Sequence, residues 1–151
     1  IQDRPEIRAI YCRHKGAFNQ MGRTIGKLMQ WAWPRGLVKP EGMELLAVYH
    51  DDPAITPAET LISDICLAVD GAVKTTGEIG NITIKAGKYA VGHFEISMEE
   101  FPAAWNAMFR LVIQKGFKTT EGDYHEFYRN DPKSHPQQKH IVDICIPVVP
   151  A

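Results

Sequence analysis

Tyr124-His125-Glu126-Phe127-Tyr128 sets a carboxylate between two phenols at strand spacing. Alternate side chains of a β-strand share a face, so Tyr124, Glu126 and Tyr128 are expected to stand together. Two chemistries suit that arrangement. Held among aromatic rings, the carboxylate could neutralise a lipophilic cation, because burying an unpaired charge is costly and a ligand cation removes that cost. Stacking of the cation on Tyr or Trp would add roughly 0.5 to 2 kcal/mol. Alternatively Glu126 could act as a general base that sets water on a strained or activated carbon, with Tyr128 or Tyr49 donating to the leaving group. The ordinary alternative is a Glu on the wet face of a strand.

Other groupings are weaker. Asp51-Asp52-Pro53 beside His50, and Asn130-Asp131-Pro132, have the oxygen-rich look of a hard-cation site, but Asp or Asn before Pro also ends strands through Asx-turns. The turn is the better reading, and no metal and no cofactor is expected. His93-Phe94-Glu95 echoes the His-x-Glu of zinc deaminases without the Pro-Cys-x-x-Cys partner that chemistry requires. Cys12 and His14 share a strand face, yet nothing in the sequence orients the histidine as a base, so Cys12 reads as core. Trp31, Trp33 and Trp105 fall on or at the ends of two helical patterns, and Trp33, off the apolar stripe, could line a cleft. Glycine-rich phosphate loops and a Gly-x-Ser-x-Gly nucleophile elbow are absent.

The elements that must position these residues are written twice. A shift of 79 residues places Tyr49, Asp52, Pro53, Pro57, Ile62, Asp64, Ile65, Cys66 and Val69 on Tyr128, Asp131, Pro132, Pro136, Ile141, Asp143, Ile144, Cys145 and Val148 without a gap. Those are nine identities in 21 positions, where average composition gives roughly one or two. Two copies with so long a period suit a duplicated half-domain with a pseudo-twofold axis rather than a solenoid. In the first copy Ile7–Arg13 reads as strand, Met21, Ile25, Leu28, Met29 and Ala32 as a helix stopping near Pro34 and Gly36, then Leu45–Tyr49 and Leu61–Val69 as strands. Tyr89–Phe94, a helix carrying Phe101, Trp105, Met108, Val112 and Ile113, Tyr124–Tyr128 and His140–Val148 repeat that order. Ser97-Met98-Glu99-Glu100 is a capping box, although Pro102 argues for a later helix start, and Gly80–Ile84 reads as a short extra run.

The expected fold is therefore α+β: duplicated β-α-β-β halves, about 5–70 and 85–149, forming one domain over 1–151, with an antiparallel sheet, two helices on one face and a central ligand cleft. Where the copies differ, chemistry has room to sit, and the clearest difference is Glu126 against Ala47.

The 151 residues are one domain's worth, with a net charge of −1 and no basic run, which argues against a phosphate-gripping surface in this segment. Three cysteines, two of them at equivalent strand positions, read as apolar fillers in a reducing, cytoplasmic setting. No apolar stretch approaches a membrane span. The chain begins at Ile1 without Met and runs almost directly into a strand, which suits a piece of a longer protein.

Arg13-His14-Lys15-Gly16, Trp31-Ala32 and Gly36-Leu37, Tyr49-His50-Asp51-Asp52-Pro53, Asp64-Ile65-Cys66, Gly87-Lys88-Tyr89-Ala90-Val91, Glu126-Phe127-Tyr128 with Asn130-Asp131-Pro132, and Asp143-Ile144-Cys145-Ile146-Pro147-Val148 together resemble the GyrI-like small-molecule-binding domain. The resemblance implies two β-α-β-β halves around a ligand cleft, a central acidic residue at Glu126 and an aromatic wall drawn from Tyr49, Trp105 and Tyr128. Many members carry Leu-Arg before the Asp-x-Cys strand, whereas this chain has Leu61-Ile62-Ser63, so any role of that arginine is not carried over. The reading that follows is the effector-binding domain of an AraC-type transcription regulator. Its ligand would be a lipophilic, cationic small molecule held by Glu126, Tyr128, Tyr49, Trp105, Trp33 and Tyr124. DNA would be reached only through a helix-turn-helix region outside this chain, no membrane is involved, and a homodimer stays open. A hydrolase of cyclopropane-bearing toxins that uses Glu126 as base, and a gyrase-inhibitor-type interaction module, are the alternatives.

Overall fold

Nine residues from Ile7 to Lys15, β-branched and aromatic in their first half, extend as strand β2, preceded by the short β1 (Gln2–Arg4). The computed structural model describes residues 1–17, 20–38, 44–51 and 55–151. After β2 come α1 (Gly22–Ala32), β3 (Leu45–Tyr49), β4 (Ile62–Ala68) and β5 (Ile79–Ile84). The second half runs β6 (Gly87–Ile96), α2 (Phe101–Gln114), β7 (Phe117–Thr119), β8 (Tyr124–Tyr128) and β9 (His140–Pro150). The α+β architecture with repeated β-α-β-β order is as expected. The sequence pattern misses β1 and β7, because three residues are too few to show a period.

Two compact units divide the chain, Glu6–Ile84 and Lys85–Ala151 with Ile1–Pro5. In the first, the strand order is β3-β4-β2-β5, all antiparallel, with Ala47 opposite Ile65 and Arg13 opposite Asp64. Leu28, Ala32 and Thr24 are the buried residues of α1. The helix passes into a single 3₁₀ turn at Trp33–Arg35 and ends at Gly36, whose φ of 69° is the left-handed conformation that glycine adopts without a Cβ clash.

In the second unit the order is β1-β6-β9-β8, with β7 added to β9, again antiparallel. Its edge strand β1 comes from the start of the chain, while β5, just before the second repeat, completes the first unit. Ala104, Met108 and Val112 on α2 pack with Ala90, Ile96, Val142, Ile144, Ile146 and Val148 into one apolar cluster. Each fully buried Val or Ile of that set is worth about 1.5 to 3 kcal/mol relative to exposure. A Cβ at Gly92 would lie 2.4 Å from Met108 Sδ and 2.7 Å from the Phe94 ring, so the absence of a side chain lets α2 seat Met108 against the sheet.

Both signals at the start of α2 are realised. Ser97 and Glu100 form the capping box around a 3₁₀ turn (Met98–Glu100), and the α-helix proper begins at Phe101 with Pro102 in its first turn, where no N–H is needed. The strand-ending turns recur as hydrogen bonds: Asp51 Oδ2 accepts the Ile62 N–H at 2.7 Å and, in the second copy, Asn130 Oδ1 accepts that of Ile141 at 2.8 Å. Asp131 accepts the Lys133 N–H. Asp52 and Pro53 lie outside the described residues.

Candidate ligand site

β8 owes its direction to its ladder with β9, in which Glu126 stands opposite Ile144 and Tyr128 opposite Val142. Since Ile144 and Val142 belong to the cluster under α2, the alternation carries Tyr124, Glu126 and Tyr128 to the helix side of the second unit. Glu126 is only 2% exposed, which removes the wet-face reading of this carboxylate. It is held by two neutral donors: the Trp105 indole N–H donates to Oε2 at 2.6 Å, and the Tyr128 hydroxyl donates to Oε1 at 2.9 Å. Trp105 sits one residue after the buried Ala104 and leans on Phe109 one turn later, the ring centroids being 6.1 Å apart.

A buried carboxylate needs such partners, because an unsatisfied one would cost several kcal/mol, on the order of the desolvation penalty for a single ion. The two donors orient its two oxygens. The Trp105 and Tyr128 rings reach the carboxylate through their N–H and O–H edges, and a carboxylate among aromatic side chains is a composition that suits a cation. The same pair, a buried carboxylate with a phenol hydroxyl at hydrogen-bond distance, is also what general acid–base work requires.

The other expected residues are placed as follows. Tyr124 shares the face, but its hydroxyl donates to the Thr120 carbonyl at 3.0 Å, so it packs on the core while its polar end is spent on its own turn. Tyr49 ends β3 in the first unit, half-buried, opposite Ser63. Trp33 lies on the exposed turn after α1, 66% accessible. Of the six residues, Glu126, Tyr128 and Trp105 are joined by hydrogen bonds within one unit.

Cys12 and His14 both face α1 and are buried. The His14 Nε2–H points at the Ala17 carbonyl and Nδ1 meets the Thr24 hydroxyl, each at 2.9 Å, so this ring ties loop, strand and helix together. Burial pushes the Cys12 thiol up, and burial raises that of Cys145 to about 12, which leaves neither a ready nucleophile. Among the described residues no group of three or more His, Cys, Asp or Glu could hold a metal ion, and no helix is long and apolar enough to cross a membrane.

The sequence reading missed a pair of matched clusters, one in each unit, of which that of the second unit lies on the sheet face opposite Glu126. Asp143 is almost fully buried and takes a hydrogen bond from His93 Nδ1 on one oxygen and, at 2.8 Å, from Arg129 Nε on the other. In the first unit Asp64 is held by the Arg13 fork at 2.9 and 3.2 Å and by His50 Nε2 at 2.7 Å. Burial alone would raise both carboxyls, but the bonds from histidine and arginine outweigh it and hold both below the usual carboxylate range. The signal was present in the repeat: Asp64 and Asp143 are identical, and the residues after the two short strands, His50 and Arg129, are both cationic types. Next to this cluster His125 packs edge-on to Tyr89 and Phe127, and burial lowers its pKa.

The family of the GyrI-like small molecule binding domain matches residues 1–149. The chain belongs to that family. Among curated relatives of this GyrI-like chain, "DNA gyrase inhibitor 2" of Dickeya dadantii is 34% identical over 72% of this chain and 69% of its own length. "Probable transcriptional regulator YgiV" of Escherichia coli is 22% identical over 98% of this chain and 94% of that protein. Among solved structures, EcmrR in its complex with DNA superposes with a TM-score of 0.84 at 18% identity over 99% of this chain, which spans 56% of the EcmrR chain. SAV2435 bound to tetraphenylphosphonium superposes with a TM-score of 0.58 at 13% identity, covering 98% of this chain and 92% of that one. At these identities the structural likeness establishes the fold.

Proposed function

We propose that this chain is the ligand-sensing domain of a bacterial transcription regulator and that it binds a lipophilic, cationic small molecule at Glu126. The observation that carries the reading is the buried Glu126 carboxylate, held by the aromatic side chains of Trp105 and Tyr128. Family membership supports small-molecule binding. The occurrence of the fold in a DNA-bound regulator, and in a protein bound to a lipophilic phosphonium, supports the regulator and the cation respectively. In its finer form the reading has an AraC-type helix-turn-helix segment on the same polypeptide, and Tyr49 and Trp33 as additional ligand contacts. Signalling requires two states of the domain with different ligand affinity.

Titration calorimetry with tetraphenylphosphonium tests the reading. Wild-type protein is expected to bind, and Glu126→Gln to bind tenfold or more weakly while its unfolding transition stays in place. Equal affinity of the two proteins would remove Glu126 from the role.

A hydrolase reading draws on the hydrogen bond between Tyr128 and Glu126, which pairs an acid with a base at 2.9 Å. Its test is turnover of a cyclopropane-bearing electrophile above a Glu126→Ala control. A gyrase-inhibitor role draws on the 34% identity to the Dickeya protein. Loss of gyrase supercoiling on addition of the purified chain would favour it, and unaltered supercoiling at micromolar protein would retire it.

A further inference from the structure

Asp143 lies directly behind the site. In the ladders of β9 it stands opposite His93 on one side and Phe127 on the other, one register step from the row that joins Gly92, Ile144 and Glu126. Its carboxylate thus ties three strands at the level of Glu126, from the opposite face of the sheet. Arg129, the residue after Tyr128, closes the arrangement: its side chain reaches Asp143 Oδ2 through Nη2 at 2.6 Å, and its backbone N–H donates to the Ile141 carbonyl at 2.8 Å.

The first unit contains the same three residue types with two of them exchanged. Arg13 occupies the ladder position that His93 occupies, opposite the aspartate, and His50 follows β3 as Arg129 follows β8. In both units one Arg and one His satisfy the two oxygens of one buried Asp. What differs is the strand each serves, since β3 carries Ala47 where β8 carries Glu126.

We propose that Asp143, with Arg129 and His93, is the positioning device of the ligand site: it fixes the end of β8 so that Tyr128 and Trp105 both reach Glu126. This rests on the reading of Glu126 as the ligand-facing carboxylate. Strand ends fray unless something holds them, and Tyr128, paired with Val142, is the last ladder position of the five-residue β8. A loosened Tyr128 would turn its hydroxyl away from Oε1, and the carboxylate would lose the orientation that a bidentate hold supplies. The exchange of Arg and His between the units shows that either order can satisfy the aspartate.

The test uses the indole N–H resonances of the three tryptophans, with Trp105 assigned by Trp105→Phe, and needs no ligand. Arg129→Gln and Asp143→Asn are each expected to move the Trp105 indole resonance towards its position in Glu126→Gln. Each should weaken tetraphenylphosphonium binding fivefold or more. The double exchange His93→Arg with Arg129→His copies the first unit and is expected to restore the resonance and bring affinity to within twofold of wild type. Asp64→Asn, which breaks the matching clamp behind Ala47, should lower the unfolding temperature comparably and leave the Trp105 resonance unmoved. If Asp143→Asn fails to fold, Arg129→Gln, a change at a part-exposed side chain, decides alone. A Trp105 resonance that stays put in Arg129→Gln, that moves equally in Asp64→Asn, or that is not restored by the double exchange overturns the proposal. A wild-type protein that does not bind the phosphonium sinks the cation reading, while the indole resonances still decide the positioning role.

Discussion

The two units share an element order but not a division of labour. In the second, a 3₁₀ turn closed by the Ser97–Glu100 box leads into α2, which has no glycine and brings Trp105 to a buried Glu126. In the first, α1 has no side-chain cap and contains Gly22 and Gly26; its buried Thr24, Leu28 and Ala32 match Ala104, Met108 and Val112 of α2, which puts Ile25 at the position of Trp105, while the 79-residue shift of the later strands puts Ala47 at that of Glu126. The two differences are one: a buried carboxylate and its indole donor occur together in one copy and are missing together from the other. A glycine inside a helix costs about 1 kcal/mol relative to alanine, a cost that α1 carries at Gly26 and α2 does not. Duplication supplied two equivalent places, and only one holds the buried acid and its indole donor.

That comparison can be broken most forcefully by writing the site's acid into the wrong copy. Ala47→Glu would bury a carboxylate at a fully inaccessible position with Ile25 where the indole should be, and a loss of about 3 to 5 kcal/mol is expected in urea unfolding. A loss under about 1 kcal/mol would mean that the first unit can also house the acid. Next, Trp105→Phe keeps a ring on α2 but deletes the N–H given to Glu126. A hydrogen bond to a charged group contributes about 1.5 to 3 kcal/mol, and a stability change near zero would show that the indole bond is dispensable. Gly92→Ala should cost about 1 to 3 kcal/mol by pushing against Met108 and Phe94, unless the flexible Met108 side chain swings clear, which a crystal structure would show.

The smallest effect concerns pH. Burial lowers the pKa of His125, and of His140 to a degree set by the same cause, so the unfolded chain binds their protons first and stability declines as pH falls through the ordinary histidine range. Asp64 and Asp143 have lowered pKa values, so their contribution is present above the usual carboxylate range and is lost only at more acid pH. His125→Leu, which gives the second unit the residue found at Leu46 in the first, should flatten the early part of that decline in melts between pH 7 and 5 while leaving the later part intact. An unchanged slope would assign the early loss to His140.

Legibility followed the length of the signal. Helix α2, with its capping box and apolar repeat, and strands β3 and β8 could be placed from the sequence, because each carries a full period of its pattern. β1 and β7 could not, having three residues each and taking their conformation from β6 and β9. At the site, Glu126 was legible as a break in the repeat and Tyr128 as its neighbour on the same strand face. The hydroxyl of Tyr124 was not, because its partner is the Thr120 carbonyl of its own turn. The Asp143 clamp escaped notice because its members come from β6, β9 and the residue after β8, separated by 14 to 50 positions in the chain.

By itself the sequence determined the duplication, the α+β order of elements and the one position at which an acid replaces alanine, since these depend on local periods and on comparison of the copies. Only the tertiary structure decided what that acid meets. Burial, the 2.6 Å bond from Trp105 and the bond from Tyr128 depend on how far α2 lies from β8, a distance set by packing at Gly92, Met108 and Ile144 and written in no single segment.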